Sequence, residues 1–99
     1  MAHRIERVNN LIRREISELL QNQVKDPRLG DFIAVTEVST SPDLRHAKIF
    51  VSRISSEVEK QETLSVLTAA SGFIRSELAR RLRLRRTPEL SFQWDDSIE

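Results

Sequence analysis

Apolar residues recur at three- and four-residue steps from the start of the chain: Ile5, Val8, Ile12, Ile16 and Leu19, with Leu11 and Leu20 beside them. That spacing lays an apolar stripe along one side of a helix and predicts an amphipathic helix with one buried face. Lys25-Asp26-Pro27-Arg28-Leu29-Gly30 ends it, since Pro27 cannot continue a helix and Gly30 permits a turn. Phe32 to Ser39 carries the β-branched residues Ile33, Val35, Thr36 and Val38 and predicts a strand. Ser39-Thr40-Ser41-Pro42-Asp43 has turn chemistry. From His46 to Ile54 the pattern alternates, with Ala47, Ile49 and Val51 on one side and His46, Lys48 and Ser52 on the other. Phe50 falls on the side opposite Ile49 and Val51, which leaves open whether it covers core or faces solvent. A short polar loop between two such runs predicts an antiparallel hairpin.

Ser55 and Ser56 are candidate helix N-caps, with Glu57 and Glu59 placed to favour the positive end of the helix dipole. The helix they open carries Leu64, Val66, Leu67 and Ala70, and a second stripe follows in Ile74, Leu78 and Leu82. Between the stripes lies Ala69-Ala70-Ser71-Gly72. A glycine inside a helix costs about 1 kcal/mol relative to alanine, and Gly/Ser pairs mark kinks. The segment predicts two helices meeting at Gly72, or one helix bent there. Pro88 closes it, and Leu90, Phe92 and Trp94 then alternate with Glu89, Ser91 and Gln93 as a third strand. Trp94 shares its parity with Leu90 and Phe92, which favours a place in the core over a base-stacking role.

The predicted order is α-β-β-α-kink-α-β, an α+β domain with helices on one face of a three-stranded sheet. Which hairpin strand pairs with the third is left open. Ninety-nine residues suit a single domain, residues 1–99, with one core. There is no cysteine, which excludes disulfides, thiolate nucleophiles and cysteine-based zinc sites. No apolar run approaches the roughly 20 residues of a membrane span. Met1-Ala2-His3-Arg4 lacks the apolar stretch of a signal peptide, so a cytoplasmic protein is expected.

Net charge is only +1, but it is unevenly spread. Arg75, Arg80, Arg81, Arg83, Arg85 and Arg86 fall in one segment with Glu77 as the only acid among them, and Arg4, Arg7, Arg13 and Arg14 form a weaker group. A nearly neutral protein with segregated charge can still present one strongly positive face.

The element order matches the type II KH fold, an RNA-binding architecture, and the residues resemble the bacterial ribosome-binding factor A family. The resemblance rests on Lys25-Asp26-Pro27-Arg28-Leu29 and on Ser39 through Ser52, especially Asp43-Leu44-Arg45 and Ala47-Lys48. It rests also on Ala70-Ser71-Gly72-Phe73-Ile74-Arg75, on Leu82-Arg83-Leu84-Arg85, and on Pro88-Glu89-Leu90-Ser91-Phe92 followed by Asp95 and Ser97. The family's Ala-x-Gly interruption, here Ala70, Ser71 and Gly72, stands in place of the usual KH glycine loop. The likeness implies binding to the immature small (30S) ribosomal subunit, help in maturing its 16S RNA, and an association with growth in the cold. Members of the family often carry an extension after the last strand.

A usual KH domain clamps about four nucleotides with a Gly-x-x-Gly loop. Gly30 and Gly72 are too far apart in sequence to form one. Recognition of backbone and shape is therefore expected, with Arg75, Arg80, Arg81, Arg83, Arg85 and Arg86 as phosphate contacts and Arg4, Arg7 and Arg14 extending the surface. Arginine suits the role, because its planar fork pairs bidentately with phosphate and stays charged. Gly72 serves this reading as a place where RNA or a neighbouring helix approaches the backbone; easing of internal packing is the alternative. His3 and His46 lack the spacing of a metal pair, Asp95 and Asp96 diverge along an extended chain, and no serine has a triad context. Neither catalysis, a metal, a cofactor nor a small-molecule substrate is expected. A monomer binding 16S RNA is the primary expectation. The rival is a protein-interaction module whose basic face meets an acidic partner.

Overall fold

A computed structural model of the chain describes residues 2–22, 33–52, 57–83 and 86–96. The predicted turn at 25–30, Phe32, Ile54, the capping serines 55 and 56, Leu84, Arg85 and Ser97 lie outside the described residues. The elements are α1 (Ala2–Asn22), β1 (Ala34–Thr40), β2 (His46–Ser52), α2 (Glu57–Ala69), α3 (Ser71–Leu82) and β3 (Glu89–Trp94). Their order is the one the hydrophobic pattern predicts.

The pairing left open by the sequence is now fixed. The sheet runs β1-β2-β3, so β2 is central. It pairs antiparallel with β1 and parallel with β3, Ala47 lying opposite Leu90, Ile49 opposite Phe92 and Val51 opposite Trp94. A parallel pair needs a crossover, and the α2–α3 segment supplies it. All three helices cover one face of the sheet. Val35, Val38, Ala47, Ile49, Val51 and Phe92 from the strands are buried against Ile12, Ile16, Leu19 and Leu20 of α1, Val66 and Leu67 of α2, and Ile74 and Leu78 of α3. Each of these Val, Leu, Ile and Phe side chains taken from water stabilises the fold by about 1.5–3 kcal/mol before entropy is counted.

Two local features depart from simple alternation. Thr36 is an extra residue in β1: the register passes from Val35 opposite Val51 to Glu37 opposite Phe50. This bulge lets Val35 and Val38, an odd number of positions apart, both face the core. The Thr36 hydroxyl reaches the Asp95 carboxylate just past β3, so the bulge clasps the two sheet edges together. Second, the helix break falls at Ala70, two residues before the predicted Gly72. Ala70 (φ −89°, ψ −1°) donates to the Val66 and Leu67 carbonyls and accepts from Ile74 N–H, while the Ser71 hydroxyl donates to the Thr68 carbonyl. Gly72 sits in the first turn of α3, and a Cβ built there would meet nothing within 4 Å. Among the described residues no packing contact requires a glycine here, and the expected approach of a neighbouring helix is not found.

Trp94 is half-buried against the core, with Lys60 Nζ 5.8 Å from its ring centroid. Phe50 lies half-buried on the face of the sheet away from the helices, beside Glu37 and Gln93.

Candidate nucleic-acid interface

The α3 helix places the arginines. Ile74 and Leu78 hold one side of it in the core, so the opposite side faces out. Steps of four and three residues put Gly72, Ser76, Ala79 and Arg83 in line there; all four are exposed. Phe73 and Arg80 flank that line, and Phe73, 48% exposed, is the most exposed large apolar side chain among the described residues.

The arginines divide into three groups rather than forming one free cluster. Arg81 leans into the seam between α3 and α1. Its Nη1 lies 3.2 Å from Glu15 Oε1 and 3.3 Å from Glu18 Oε1, and its Nε lies 3.9 Å from Glu77. The hydrogen bond to Glu15, and then Glu18, pushes its pKa further above the ordinary arginine value. Arg81, expected as a phosphate contact, is thus surrounded by three carboxylates, two of them brought from α1 by the fold. Arg80 pairs with Glu77 one turn away, but its side chain remains 73% exposed. Exposed pairs of this kind contribute little and exchange readily.

Arg83 ends α3. It adopts the left-handed conformation (φ 51°, ψ 38°), and its N–H donates to the Ala79 carbonyl. Glycine is the usual residue at this position. Among the described residues no hydrogen bond or ion pair engages its side chain, and the same holds for Arg86, Arg4, Arg7, Arg13 and Arg14. Arg85 lies outside the described residues. Arg75 donates through Nε and Nη2 to the Thr87 carbonyl at 3.2 and 2.9 Å, a neutral partner that leaves its charge uncompensated.

On α1, Arg4, Arg7, Leu11, Arg14 and Glu18 follow three- and four-residue steps and so share a stripe. Glu18 reaches Arg81 of α3, so this stripe runs along the flank of α1 that borders α3. Arg4, Arg7 and Arg14 are exposed there, with Leu11 between them 37% exposed. Arg13 is on another side and lines a groove with Glu6, Asn9 and Glu37.

Two residues near Arg75 were missed by sequence reasoning. Arg45 and His46 join Arg75 and Arg86 around a pocket at the end of the sheet. Their signal was present in Asp43-Leu44-Arg45, but nothing in the sequence tells that the turn after β1 meets the loop before β3. Among the described residues no group of three or more His, Asp or Glu is placed to hold a metal ion. No helix among them is long and apolar enough to cross a membrane.

Comparison with known proteins decides the family. The family model described as Ribosome-binding factor A matches residues 4–99. The chain belongs to the ribosome-binding factor A family. Its relatives include the ribosome-binding factor A of Dictyoglomus thermophilum, 54% identical over 99 residues that span all of this chain and 82% of that protein. That of Acetivibrio thermocellus is 53% identical over 96 residues, 97% of this chain and 78% of the relative. Among solved structures, a Thermotoga maritima ribosome-binding factor A superposes with a TM-score of 0.87 at 38% identity, covering 100% of this chain and 93% of that one. A Thermus thermophilus ribosome-binding factor A fitted into a map of a 30S complex gives a TM-score of 0.74 at 30% identity, with coverage of 89% and 92%. The KH-like architecture is thus the family's own.

Proposed function

We propose that this member of the ribosome-binding factor A family acts in the cytoplasm as a monomeric, non-catalytic assembly factor. It binds the immature small ribosomal subunit and assists maturation of its 16S RNA. The observation that carries the reading is a set of exposed guanidinium groups with no carboxylate partner among the described residues, Arg83 and Arg86 foremost, on the α3 side of a fold whose Thermus relative has been fitted into a 30S complex. Arg75 and Arg80 add charge to the same side, the α1 stripe of Arg4, Arg7 and Arg14 extends it, and Arg85, from its place in the sequence alone, is proposed as a further phosphate contact. Arg81 serves instead as a strut that fixes α3 against α1, so that the outer arginines stand in a defined arrangement.

The mechanism is electrostatic positioning. Each phosphate neutralised by arginine releases condensed counterions, so affinity falls steeply with salt. Five contacts correspond to a slope of log K against log salt of about −3.5 to −4.5. The line of small residues Gly72, Ser76 and Ala79 leaves room for an RNA backbone between Arg80 and Arg83. Binding one RNA arrangement better than another shifts the folding equilibrium of the RNA by that difference in affinity, and no bond need be made or broken by the protein.

Co-sedimentation with immature small subunits across a salt series tests this. Replacing Arg80, Arg83 and Arg86 together by Gln is expected to abolish association in moderate salt while leaving the melting temperature nearly unchanged. Retained association would overturn it. A second reading is contact with an acidic protein partner through the same basic face, with the exposed apolar side chains of Leu11 and Phe73 adding protein contact; binding that survives removal of RNA would select it.

A further inference from the structure

We infer that the pocket at the end of the sheet, lined by Arg45, His46, Arg75, Arg86, Thr87 and Glu89, is a seat for a single phosphate group. It has a volume of about 250 Å³, room for a phosphate and several waters, since a water occupies about 30 Å³. Its walls come from the β1–β2 turn, the first residue of β3, the loop before it and the middle of α3. Only the tertiary fold assembles it.

The turn that carries Arg45 and His46 is fixed by its own hydrogen bonds. The Asp43 carboxylate accepts from the Ser41 hydroxyl at 2.6 Å and from Arg45 N–H at 3.0 Å. His46 N–H donates to the Ser41 hydroxyl oxygen at 3.1 Å, and Ser41 N–H to the His46 carbonyl at 2.8 Å. Leu44, at φ 61°, takes the left-handed conformation that closes this turn, a strained choice for a leucine. The Arg45 carbonyl accepts from Glu89 N–H at 2.8 Å, which anchors the turn to β3. The backbone under Arg45 is therefore fixed.

Arg75 spends Nε and Nη2 on the Thr87 carbonyl, which orients the guanidinium and leaves other donors available. Arg45 forms an exposed ion pair with Asp43 (Nε to Oδ2 4.0 Å), of the kind that contributes little and exchanges readily. Arg86 has no partner among the described residues. Opposing them on the lining is Glu89, whose carboxylate lies 3.7 Å from His46 Nδ1 with both side chains about two-thirds exposed. The lining thus sets three arginines against this one carboxylate, all of them exposed to solvent. Arginine's fixed fork matches phosphate oxygens, and positioned donors need little reorganisation to receive them.

As a source of the phosphate, the seat rests on the proposed RNA binding; as an anion site it does not. The test therefore has two arms, both followed through the arginine side-chain N–H signals in NMR spectra. In the first, inorganic phosphate is titrated at constant ionic strength against chloride. Saturable shifts of Arg45, Arg75 and Arg86 that vanish in an Arg45→Gln/Arg86→Gln variant are expected. In the second, short single-stranded RNAs with and without a 5′-phosphate are titrated. Shifts of the same signals by both RNAs assign the seat to a backbone diester; shifts by the 5′-phosphorylated RNA alone assign it to a chain end. In either case the variant is expected to lose at least tenfold in RNA affinity, and its salt slope to fall by about 1.4–1.8 for two lost contacts. A variant that binds RNA as tightly as the parent, with no saturable phosphate shifts in the pocket, overturns the seat and leaves RNA binding standing. Absence of RNA binding by the parent overturns the RNA reading, and the phosphate arm then decides the seat alone. Circular dichroism and a thermal melt establish that the variant is folded.

Discussion

Replacing Arg83 by glycine should make the protein more stable and a poorer ligand of the small subunit. Arg83 sits at φ 51°, where a side chain costs roughly 1–2 kcal/mol through the clash of Cβ with the following carbonyl. Glycine removes that clash but gives the unfolded chain more freedom, worth about 0.4–1 kcal/mol. The net gain is about 0.5–1 kcal/mol. For a domain of this size each kcal/mol moves the melting temperature by roughly 4–8 °C, so Arg83→Gly should melt about 2–8 °C higher. The same substitution deletes one exposed guanidinium with no partner among the described residues. If it meets a phosphate, the slope of log K against log salt becomes shallower by about 0.7–0.9, and affinity at low salt drops about tenfold, as for a lost interaction of about 1.4 kcal/mol. Differential scanning fluorimetry gives the first quantity and a salt series of subunit association the second. General damage lowers both stability and binding; only a functional arginine held in a costly conformation separates them. A fall in melting temperature would refute the strain, and an unchanged slope would refute the phosphate contact.

Other outcomes follow from the same geometry. Arg81→Gln removes the tie from α3 to Glu15 and Glu18 of α1, so the melting temperature should fall while the salt slope of RNA association stays within error. Gly72→Ala meets no atom within 4 Å and should stabilise the helix by about 0.5–1 kcal/mol; weakened subunit association in this stabilised variant would mark α3 as a surface RNA approaches closely. Ile49→Ala in the central strand, where the side chain is fully buried, should cost about 2–5 kcal/mol, read by urea denaturation. The Asp43 carboxyl is held below its ordinary value, first by the Ser41 hydroxyl and then by Arg45 N–H. Its depressed pKa adds stability above the unfolded value of 3.8 that is lost as pH falls through the folded one. Melting curves of the parent and Asp43→Asn should therefore run parallel from pH 6 to 8, and the parent should lose more between pH 5 and 3.

Much of the fold was written in local periodicity. The stripe from Ile5 to Leu19 and the alternation around Ile49 and Phe92 each report a buried face within a few residues, so element type and order could be read directly. The bulge at Thr36 was not read, because Val35 and Val38 look like ordinary strand residues until an extra residue between them is allowed. The break at Ala70 was displaced to Gly72 because glycine is the stronger marker of a kink, yet here it sits in a regular first turn. The arginine segment was visible as composition, but its electrostatics were not local. Glu15 and Glu18 neutralise Arg81 from some sixty residues away in sequence, and Arg45 joins Arg75 and Arg86 only when β3 pairs beside β2. Family likeness gives the protein's class without any of these contacts, but it does not separate the arginine that braces the helices from those that face outward.

The most direct measurement is site-specific photocrosslinking on immature small subunits, with the probe at Ser76 on the outward side of α3 or at Ser91 on the open face of the sheet. Both positions are exposed and neither carries charge. The account predicts crosslinks to 16S RNA from Ser76 and none from Ser91. RNA crosslinks from Ser91 alone, or only ribosomal protein captured from Ser76, would contradict it.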